Sequence, residues 1–171
     1  MFATKRLSKE LLKIKEHLPP GISIVKSDNL EEWLMDIKVL DENPLYLNET
    51  YRLKFTFSKK YPIEPPEVQF VTTPTLTSPT PASFDDNATT TNPRRTIPIH
   101  PHIYSNGIIC LDLLSSAGWS PVQTVESVCM SIQSMLTANS RNERPPGDKD
   151  FVSYNRRRPR DINFMYDDDN V

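Results

Sequence analysis

The stretch that decides the fold is YRLKFTFSKKYPIEPPEVQFV, residues 51–71. Apolar and polar residues alternate through its first third, which predicts a β-strand over Tyr51–Phe57 with one face in the core. The apolar residues on that face are Tyr51, Leu53, Phe55 and Phe57. Its end, Glu67–Val71, predicts a second strand, and the prolines between the two strands predict a turn. Strands joined by so short a connection indicate an antiparallel pair.

Two further strands and a helix are predicted on the N-terminal side of this pair. Trp33–Val39 shows the same alternation, and Ile22–Lys26 is a shorter apolar run. Residues 4–18 have the apolar spacing of one helix face, with Thr4 as the N-cap and Pro19 ending the helix. The apolar face has Leu7, Leu11, Ile14 and Leu18, and the polar sides include Lys5, Arg6 and Glu10. Because helices do not alternate with the strands, we expect an α+β fold with an antiparallel meander of about four strands.

The C-terminal side divides into segments of different character. Residues 72–96 are rich in Thr and Pro and poor in large apolar residues, which predicts a disordered insert. Residues 122–136 have apolar side chains at helical spacing, and they predict a second helix with Cys129 in its buried stripe. Residues 146–171 are dense in proline and charge, and they predict a tail without a helix. We therefore expect one domain over residues 1–145, interrupted by the insert and followed by the tail.

Composition excludes several classes of function. The chain has 171 residues and a net charge of −2, so it lacks the basic field of a nucleic-acid-binding protein. Its apolar runs are too short to span a membrane, and the charged N-terminus does not resemble a signal peptide. Its two cysteines lack the spacing of metal ligands and are too few for a disulfide framework. We expect an intracellular protein with no metal and with neither nucleic acid nor membrane as a partner.

The other cysteine, Cys110, lies in an irregular stretch, HPHIYSNGIICLD, residues 100–112. From its neighbours alone, Cys110 is either a buried structural thiol or a reactive one, and both interpretations stay open. No Lys or Arg lies within eight residues of it. Nothing nearby in the sequence therefore lowers its pKa from the usual ~8.5.

This stretch resembles the active-site segment of the ubiquitin-conjugating (UBC) enzymes, in which His-Pro-Asn, Asn-Gly, Ile-Cys-Leu-Asp and Trp-Ser-Pro follow in order. The matching residues are His100-Pro101, Asn106-Gly107, Ile109–Asp112 and Trp119–Pro121. The turn Tyr61–Pro66 and the N-terminal helix also resemble the family, so the similarity covers residues 4–140 apart from the insert. The resemblance implies the UBC fold and an enzyme of the ubiquitin pathway.

The resemblance also implies roles for individual residues. Cys110 would accept ubiquitin from the activating enzyme as a thioester and pass it to a protein amine. His102 replaces the family's Asn, and its imidazole would stabilise the oxyanion, deprotonate the amine or only hold the loop. His100 would give structural support. Glu143 lies near a position where the family often has an acidic residue, but the sequence around it differs from the family, which favours a solvated charge. The activating enzyme consumes ATP, so this chain is expected to bind no cofactor.

The His-Pro-His sequence is most similar to the W type of the family. That type shares an Arg-Pro-Pro-x-Asp motif, here Arg144–Asp148, and an acidic end, here Tyr166–Asp169. It is associated with adding one ubiquitin to the α-amino group of flexible protein N-termini. Most family members have two further C-terminal helices, and this tail shows no such pattern. A shortened C-terminal side would admit an extended backbone as the acceptor.

The resemblance implies partner surfaces at three places. Lys5 and Arg6 match helix positions that meet the activating enzyme. Ile63, together with Ser120 and Pro121 and the adjoining Val122, matches loops that bind RING- or U-box-type ubiquitin ligases.

Two alternatives to this function remain. The chain could instead conjugate another ubiquitin-like modifier. It could also be a non-catalytic variant that only binds ubiquitin, although such variants lack the cysteine.

Overall fold

The computed structural model of the protein describes residues 2–73, 94–162 and 164. The helices are α1 (Phe2–Glu16), α2 (Val125–Thr137) and α3 (Asp148–Tyr154), and the strands are β1 (Ile22–Lys26), β2 (Glu32–Lys38), β3 (Thr50–Thr56) and β4 (Glu67–Val71). Short 3₁₀ turns occur at Asp112–Leu114 and Pro159–Asp161. The predicted order of an N-terminal helix, a strand meander, an irregular stretch and a second helix is confirmed.

The four strands form one antiparallel sheet in the order β1-β2-β3-β4. Trp33 lies opposite Phe55, and Met35 lies opposite Leu53. All four side chains are fully buried. The alternation seen in the sequence therefore sets the register, because a slip of one residue would turn these side chains to the other face.

Helix α2 covers the sheet with its apolar face and carries Cys129 into the core. Its buried residues are Val125, Val128, Cys129, Ile132 and Leu136. The Thr124 side chain accepts from the Ser127 amide, and the Ser127 hydroxyl accepts from the Thr124 amide. This capping box starts the helix three residues later than the sequence predicts. The predicted burial of Cys129 is confirmed.

Helix α1 begins and ends before its predicted limits. It starts at Phe2, so Thr4 lies inside the first turn and the expected N-cap is wrong. It ends at Glu16, two residues before Leu18. Leu18 precedes Pro19, and a residue in that position disfavours helical backbone.

The C-terminal segment contains a helix that the sequence did not predict. Helix α3 is seven residues long, and none of its side chains is fully buried. It therefore lacks the repeated apolar stripe on which a sequence prediction depends. Asp148 and Asp150 in its first turn favour the helix through its dipole.

Most of the predicted insert, residues 74–93, lies outside the described residues. Its two ends meet, since the Thr73 amide donates to the Arg95 carbonyl (3.1 Å) and the Arg95 amide donates to Thr73 Oγ1 (2.9 Å). The Arg95 guanidinium also pairs with Asp36 on β2 (3.1 Å). Thr73 and Arg95, which are 22 residues apart in the sequence, are therefore held next to each other beside the sheet.

Within the described ranges, no helix has the length and apolar character needed to cross a membrane.

Candidate active site

The irregular stretch before Cys110 is attached to the last strand of the sheet. The Phe70 amide on β4 donates to the Gly107 carbonyl (2.9 Å), and Gln69 Nε2 donates to the Asn106 carbonyl (2.7 Å). The turn itself is closed by the Gly107 amide, which donates to the Tyr104 carbonyl (2.8 Å). Gly107 has φ +89°, and a Cβ there would lie 2.0 Å from the Phe70 oxygen. Glycine is therefore required where this turn meets the sheet.

Cys110 is partly exposed and is held by its main chain. Its amide donates to the His102 carbonyl at 2.7 Å. The His102 amide in turn donates to His100 Nδ1 at 2.9 Å. The segment that precedes the thiol thus folds back on itself, so the position of the thiol depends on residues 100–102.

His100 is buried and links this segment to helix α2. Because Nδ1 accepts a hydrogen bond, the ring proton lies on Nε2, which donates to the Met135 carbonyl (3.3 Å). Burial lowers the pKa of His100 to about 4, and the neighbouring His102 contributes to this shift. His100 is therefore neutral at physiological pH and cannot supply a positive charge to the thiol.

His102 is exposed, and the centre of its ring lies 5.5 Å from that of His100. Its main-chain atoms make the two contacts that join His100 to Cys110. The imidazole is therefore directed away from the core, on the same loop as the thiol.

Tyr104 brings the C-terminal segment into the neighbourhood of Cys110. Its ring stacks on Phe151 of α3, with 3.8 Å between the ring centres, and on Phe164 at 6.0 Å. Burial raises the pKa of Tyr104, and the nearby Cys110 and Asp148 raise it further. Residues predicted to form a separate tail therefore pack beside the candidate nucleophile.

Two residues of the Arg-Pro-Pro-x-Asp motif bind the same loop through its main chain. Arg144 donates to the carbonyls of Ile97 (3.1 Å), Pro98 (2.5 Å) and Ile103 (3.1 Å). Asp148 Oδ1 accepts from the Ser105 amide (2.7 Å). No role for Arg144 or Asp148 had been predicted from the sequence. The motif itself was the available signal.

Glu143, the acidic residue that the resemblance placed near the acceptor, is exposed and forms an ion pair with Arg141. No group of three or more His, Cys, Asp or Glu side chains suited to a metal ion occurs within residues 2–73, 94–162 and 164.

The implied partner residues lie on α1 and on two neighbouring loops. Ile63 and Val122 are among the most exposed apolar side chains, at 72% and 79%. Trp119 Nε1 donates to the Pro62 carbonyl (2.8 Å), which joins the two loops that carry them. Next to Val122, Ser120 is half-buried and Pro121 is exposed. These contacts present the two apolar side chains from one connected surface.

Lys5 and Arg6 differ in their surroundings. Lys5 is exposed on α1. The Arg6 guanidinium donates to the carbonyls of Pro121 (3.1 Å) and Gln123 (2.7 Å) and to Glu10 (2.5 Å). Arg6 therefore fastens the second loop to α1, and Lys5 presents its charge to solvent.

Glu10 is a buried carboxylate that the sequence analysis placed on the polar side of the helix, and that placement is wrong. Besides Arg6, it accepts from the Tyr61 hydroxyl (2.8 Å) and from the Val125 amide at the start of α2 (2.9 Å). Burial raises the pKa of Tyr61, and the negative charge of Glu10 raises it further. Because α1 has charged residues on every other side, no sequence signal distinguishes Glu10 from them.

The family profile described as "Ubiquitin-conjugating enzyme" matches residues 6–165. The "Probable ubiquitin-conjugating enzyme E2 W" of Dictyostelium discoideum is 41% identical over 168 residues, which are 98% of this chain and 96% of that protein. The "Ubiquitin-conjugating enzyme E2 W" of Caenorhabditis elegans is 37% identical over 99% of this chain and 97% of its own length. The crystal structure of the ubiquitin-conjugating enzyme E2 UbcA1 from Agrocybe aegerita superposes with a TM-score of 0.76 at 36% identity, covering 92% of this chain and 98% of that one.

Proposed function

The chain belongs to the ubiquitin-conjugating enzyme family, with relatives of the W type, and we propose that Cys110 is the residue that carries ubiquitin. As a member of that family, it is an enzyme that works with ubiquitin, a ubiquitin-activating enzyme and ubiquitin ligases. The contrast between the two cysteines carries the proposal for Cys110. Cys110 is partly exposed on a fixed loop, while Cys129 is fully buried and burial raises the pKa of its thiol.

The reaction has two acyl-transfer steps. The Cys110 thiolate attacks the carbonyl of the thioester between ubiquitin and the activating enzyme, and the thiolate of that enzyme leaves. An acceptor amine then attacks the new thioester, the bond to Cys110 Sγ breaks, and the amine loses a proton as the amide forms. A thiolate is both a strong nucleophile and a good leaving group, which suits both steps. ATP is consumed by the activating enzyme, so the steps at Cys110 require no cofactor.

We propose that the His102 imidazole acts on the reacting groups in the second step. The contacts of His102 with His100 and Cys110 use main-chain atoms, which any residue at this position could supply. The exposed imidazole is then available to donate to the oxyanion or to take the proton of the amine. Substitution by Asn keeps a donor and removes the base. A wild-type rate in His102→Asn would exclude the role of a base, and a slow rate would favour it over the oxyanion role.

The proposed acceptor is the α-amino group of a protein N-terminus. Its ordinary pKa of ~7.7–8.0 lies well below the ~10.4 of lysine, so at neutral pH a much larger fraction is already deprotonated. Because His100 is buried with a lowered pKa and Glu143 pairs with Arg141, neither of these two side chains is placed to help in deprotonating a lysine. The test compares two short peptides, one lysine-free with a free N-terminus and one N-acetylated with a single lysine. Modification of the acetylated peptide alone would refute the proposal.

For the partners, we propose that Ile63 and Val122 bind the apolar groove of a RING- or U-box-type ligase, with Ser120 and Pro121 at the edge of the contact. Two large exposed apolar side chains on joined loops are typical of a docking surface. Lys5 would meet the activating enzyme, and Arg6 would act by holding the second loop. We also propose an intracellular location, cytoplasmic or nuclear, because two cysteines in a chain of 171 residues are too few for the disulfide framework of a secreted protein.

The experiment that tests the carrier role uses the wild-type chain with Cys110→Ala and Cys129→Ala. Each is mixed with ubiquitin, the activating enzyme and ATP, and the products are separated with and without reductant. We expect an adduct that is sensitive to reductant in the wild type and in Cys129→Ala, and none in Cys110→Ala. Loss of the adduct in Cys129→Ala alone would refute the assignment. If the wild type forms no adduct, the assay is repeated with other ubiquitin-like modifiers and their activating enzymes, and failure of all of these would favour a binding-only protein.

A further inference from the structure

The chain that follows α2 returns to the stretch before Cys110 and binds it from both sides. We call residues 97–105 the site loop. Arg144 contacts the carbonyls of Ile97 and Pro98 at its start and that of Ile103 near its end. Asp148 accepts from the amide of Ser105, the last residue of the site loop. Two side chains thus fix the main chain on either side of His100 and His102.

These contacts are polar and specific in direction. The guanidinium of Arg144 is half-buried and presents several donors in one plane, which allows it to reach three carbonyls at once. The carboxylate of Asp148 accepts a short charge-assisted bond of 2.7 Å from a main-chain amide. The stack of Tyr104 on Phe151 lies between the two contacts and holds α3 against the same loop.

The site loop in turn positions the thiol. The Cys110 amide donates to the His102 carbonyl, and His102 lies in the middle of the site loop. A shift of the loop would therefore move the thiol and the imidazole relative to each other. Other attachments of this stretch run through His100 to α2, through Gly107 to β4 and through the Tyr46 hydroxyl, which donates to the Ile99 carbonyl (2.7 Å). None of these contacts involves Ile97, Pro98 or Ser105.

We propose that Arg144 and Asp148 are positioning residues for the transfer of ubiquitin from Cys110 to the acceptor amine. The proposal rests on the carrier role of Cys110. Transfer to an amine demands that the amine, the thioester carbonyl and a proton acceptor meet in one geometry. In charging, the Cys110 thiolate attacks a thioester that is held by a large partner enzyme, and that enzyme supplies its own alignment. A displacement of about 1 Å is enough to slow such a reaction markedly. The effect of Arg144 and Asp148 therefore falls on the transfer step.

The experiment separates the two steps and uses three variants of α3. Asp148→Ala removes the acceptor for the Ser105 amide, and Asp148→Asn keeps an oxygen in the same place without the charge. Asp150→Ala removes the neighbouring exposed carboxylate of the same helix as a matched control. Each full-length protein is charged with ubiquitin, further charging is stopped by chelating Mg²⁺, and the thioester is followed after addition of an amine. The probes are a lysine-free peptide with a free N-terminus and, separately, free lysine.

We expect Asp148→Ala to charge at the wild-type rate and to discharge at least about tenfold more slowly with whichever probe the wild type uses, as loss of one hydrogen bond to a charged group predicts. Asp148→Asn is expected to discharge faster than Asp148→Ala but more slowly than the wild type, because its amide oxygen still accepts from the Ser105 amide but carries no negative charge. Asp150→Ala should discharge like the wild type. Arg144→Lys, which offers a point charge in place of a planar fork, should slow discharge as Asp148→Ala does.

Three results would overturn the positioning role alone. They are a wild-type discharge rate in Asp148→Ala, an equally slow discharge in Asp148→Asn and Asp148→Ala, and an equal loss of charging and discharge. The second would assign the effect to charge, and the third to general damage of the fold, which the melting temperature of each variant would reveal. Wild-type charging of Cys110→Ala would instead remove the carrier role, and the positioning role with it.

Discussion

Replacing Glu10 with alanine is expected to destabilise the protein strongly, although the residue lies on a helix that looks amphipathic in sequence. The carboxylate is buried and accepts from the Tyr61 hydroxyl and from the Val125 amide, and both of these donors are buried. Each donor left without an acceptor costs about 1–3 kcal/mol. Arg6 adds little, because it is partly exposed and keeps two carbonyl acceptors. The total is about 2–6 kcal/mol, in line with the loss expected when one partner of a buried pair is removed.

Urea unfolding of the wild type, Glu10→Ala and Glu10→Gln would measure the effect. The single carbonyl of glutamine can accept on the Tyr61 side or on the Val125 side of the site, so Glu10→Gln should lose roughly half as much, about 1–3 kcal/mol. For a chain of this length, the alanine variant should melt on the order of 10 °C lower. Glu16→Ala, an exposed carboxylate on the same helix, is the matched control and should change stability by less than about 0.5 kcal/mol.

A loss below ~1 kcal/mol in Glu10→Ala, with an unchanged dependence on urea concentration, would refute this reasoning. It would mean that water or a rearranged side chain satisfies both donors. A stable variant that no longer binds the ligase would instead mean that Glu10 acts on the orientation of the loops and contributes little to the free energy of unfolding.

Three further substitutions test other parts of the structure. Gly107→Ala should destabilise the protein by at least ~2 kcal/mol more than Gly147→Ala, because both residues have positive φ but only a Cβ at Gly107 meets the main chain. Urea unfolding measures the difference, and a lower midpoint for Gly147→Ala than for Gly107→Ala would contradict it. The folded-state pKa of His100 is about 4, below the ~6.5 of an unfolded histidine, so the stability that it contributes is complete above pH ~6.5 and is lost as the pH falls towards 4. His100→Asn should make the free energy of unfolding depend less on pH in this range. An unchanged pH dependence in urea unfolding would contradict this. Ile63→Ala should weaken ligase binding, while the charging rate stays at the wild-type value and the free energy of unfolding changes by less than about 0.5 kcal/mol. Titration with a RING domain measures the affinity, and an unaltered affinity would mean that the surface is wrongly placed.

The sheet could be predicted almost residue by residue because its information is local and periodic. The predicted strand Ile22–Lys26 and the predicted strand Glu67–Val71 have the limits found in the structure, and the two strands between them differ by one residue at each end. Alternation specifies which face is buried, and the short prolyl turn specifies the antiparallel pairing. Helix limits were less accurate, since they depend on capping contacts such as that of Thr124 with Ser127.

The residues that hold the candidate site together could not be predicted in the same way. Glu10 and Arg144 each bind groups that lie far away in the sequence, and several of those groups are main-chain atoms. A main-chain carbonyl or amide is the same in every residue, so the sequence around it does not indicate which side chain it will bind. The resemblance found Cys110 and the turn beside it, because those residues recur as a local motif.

The geometry of the site loop can change through residues outside the motif around Cys110. The site loop presents carbonyls and an amide that persist whatever its side chains are, so its geometry depends on the donors and acceptors supplied from elsewhere. His100 supplies an acceptor from within the loop, the Tyr46 hydroxyl donates to the Ile99 carbonyl, and Arg144 and Asp148 bind the loop from the chain after α2. Substitutions in that C-terminal segment can therefore move the loop without altering any residue of the motif around Cys110. Relatives that share this motif but differ after α2 are then expected to charge alike and to differ in the amines they modify.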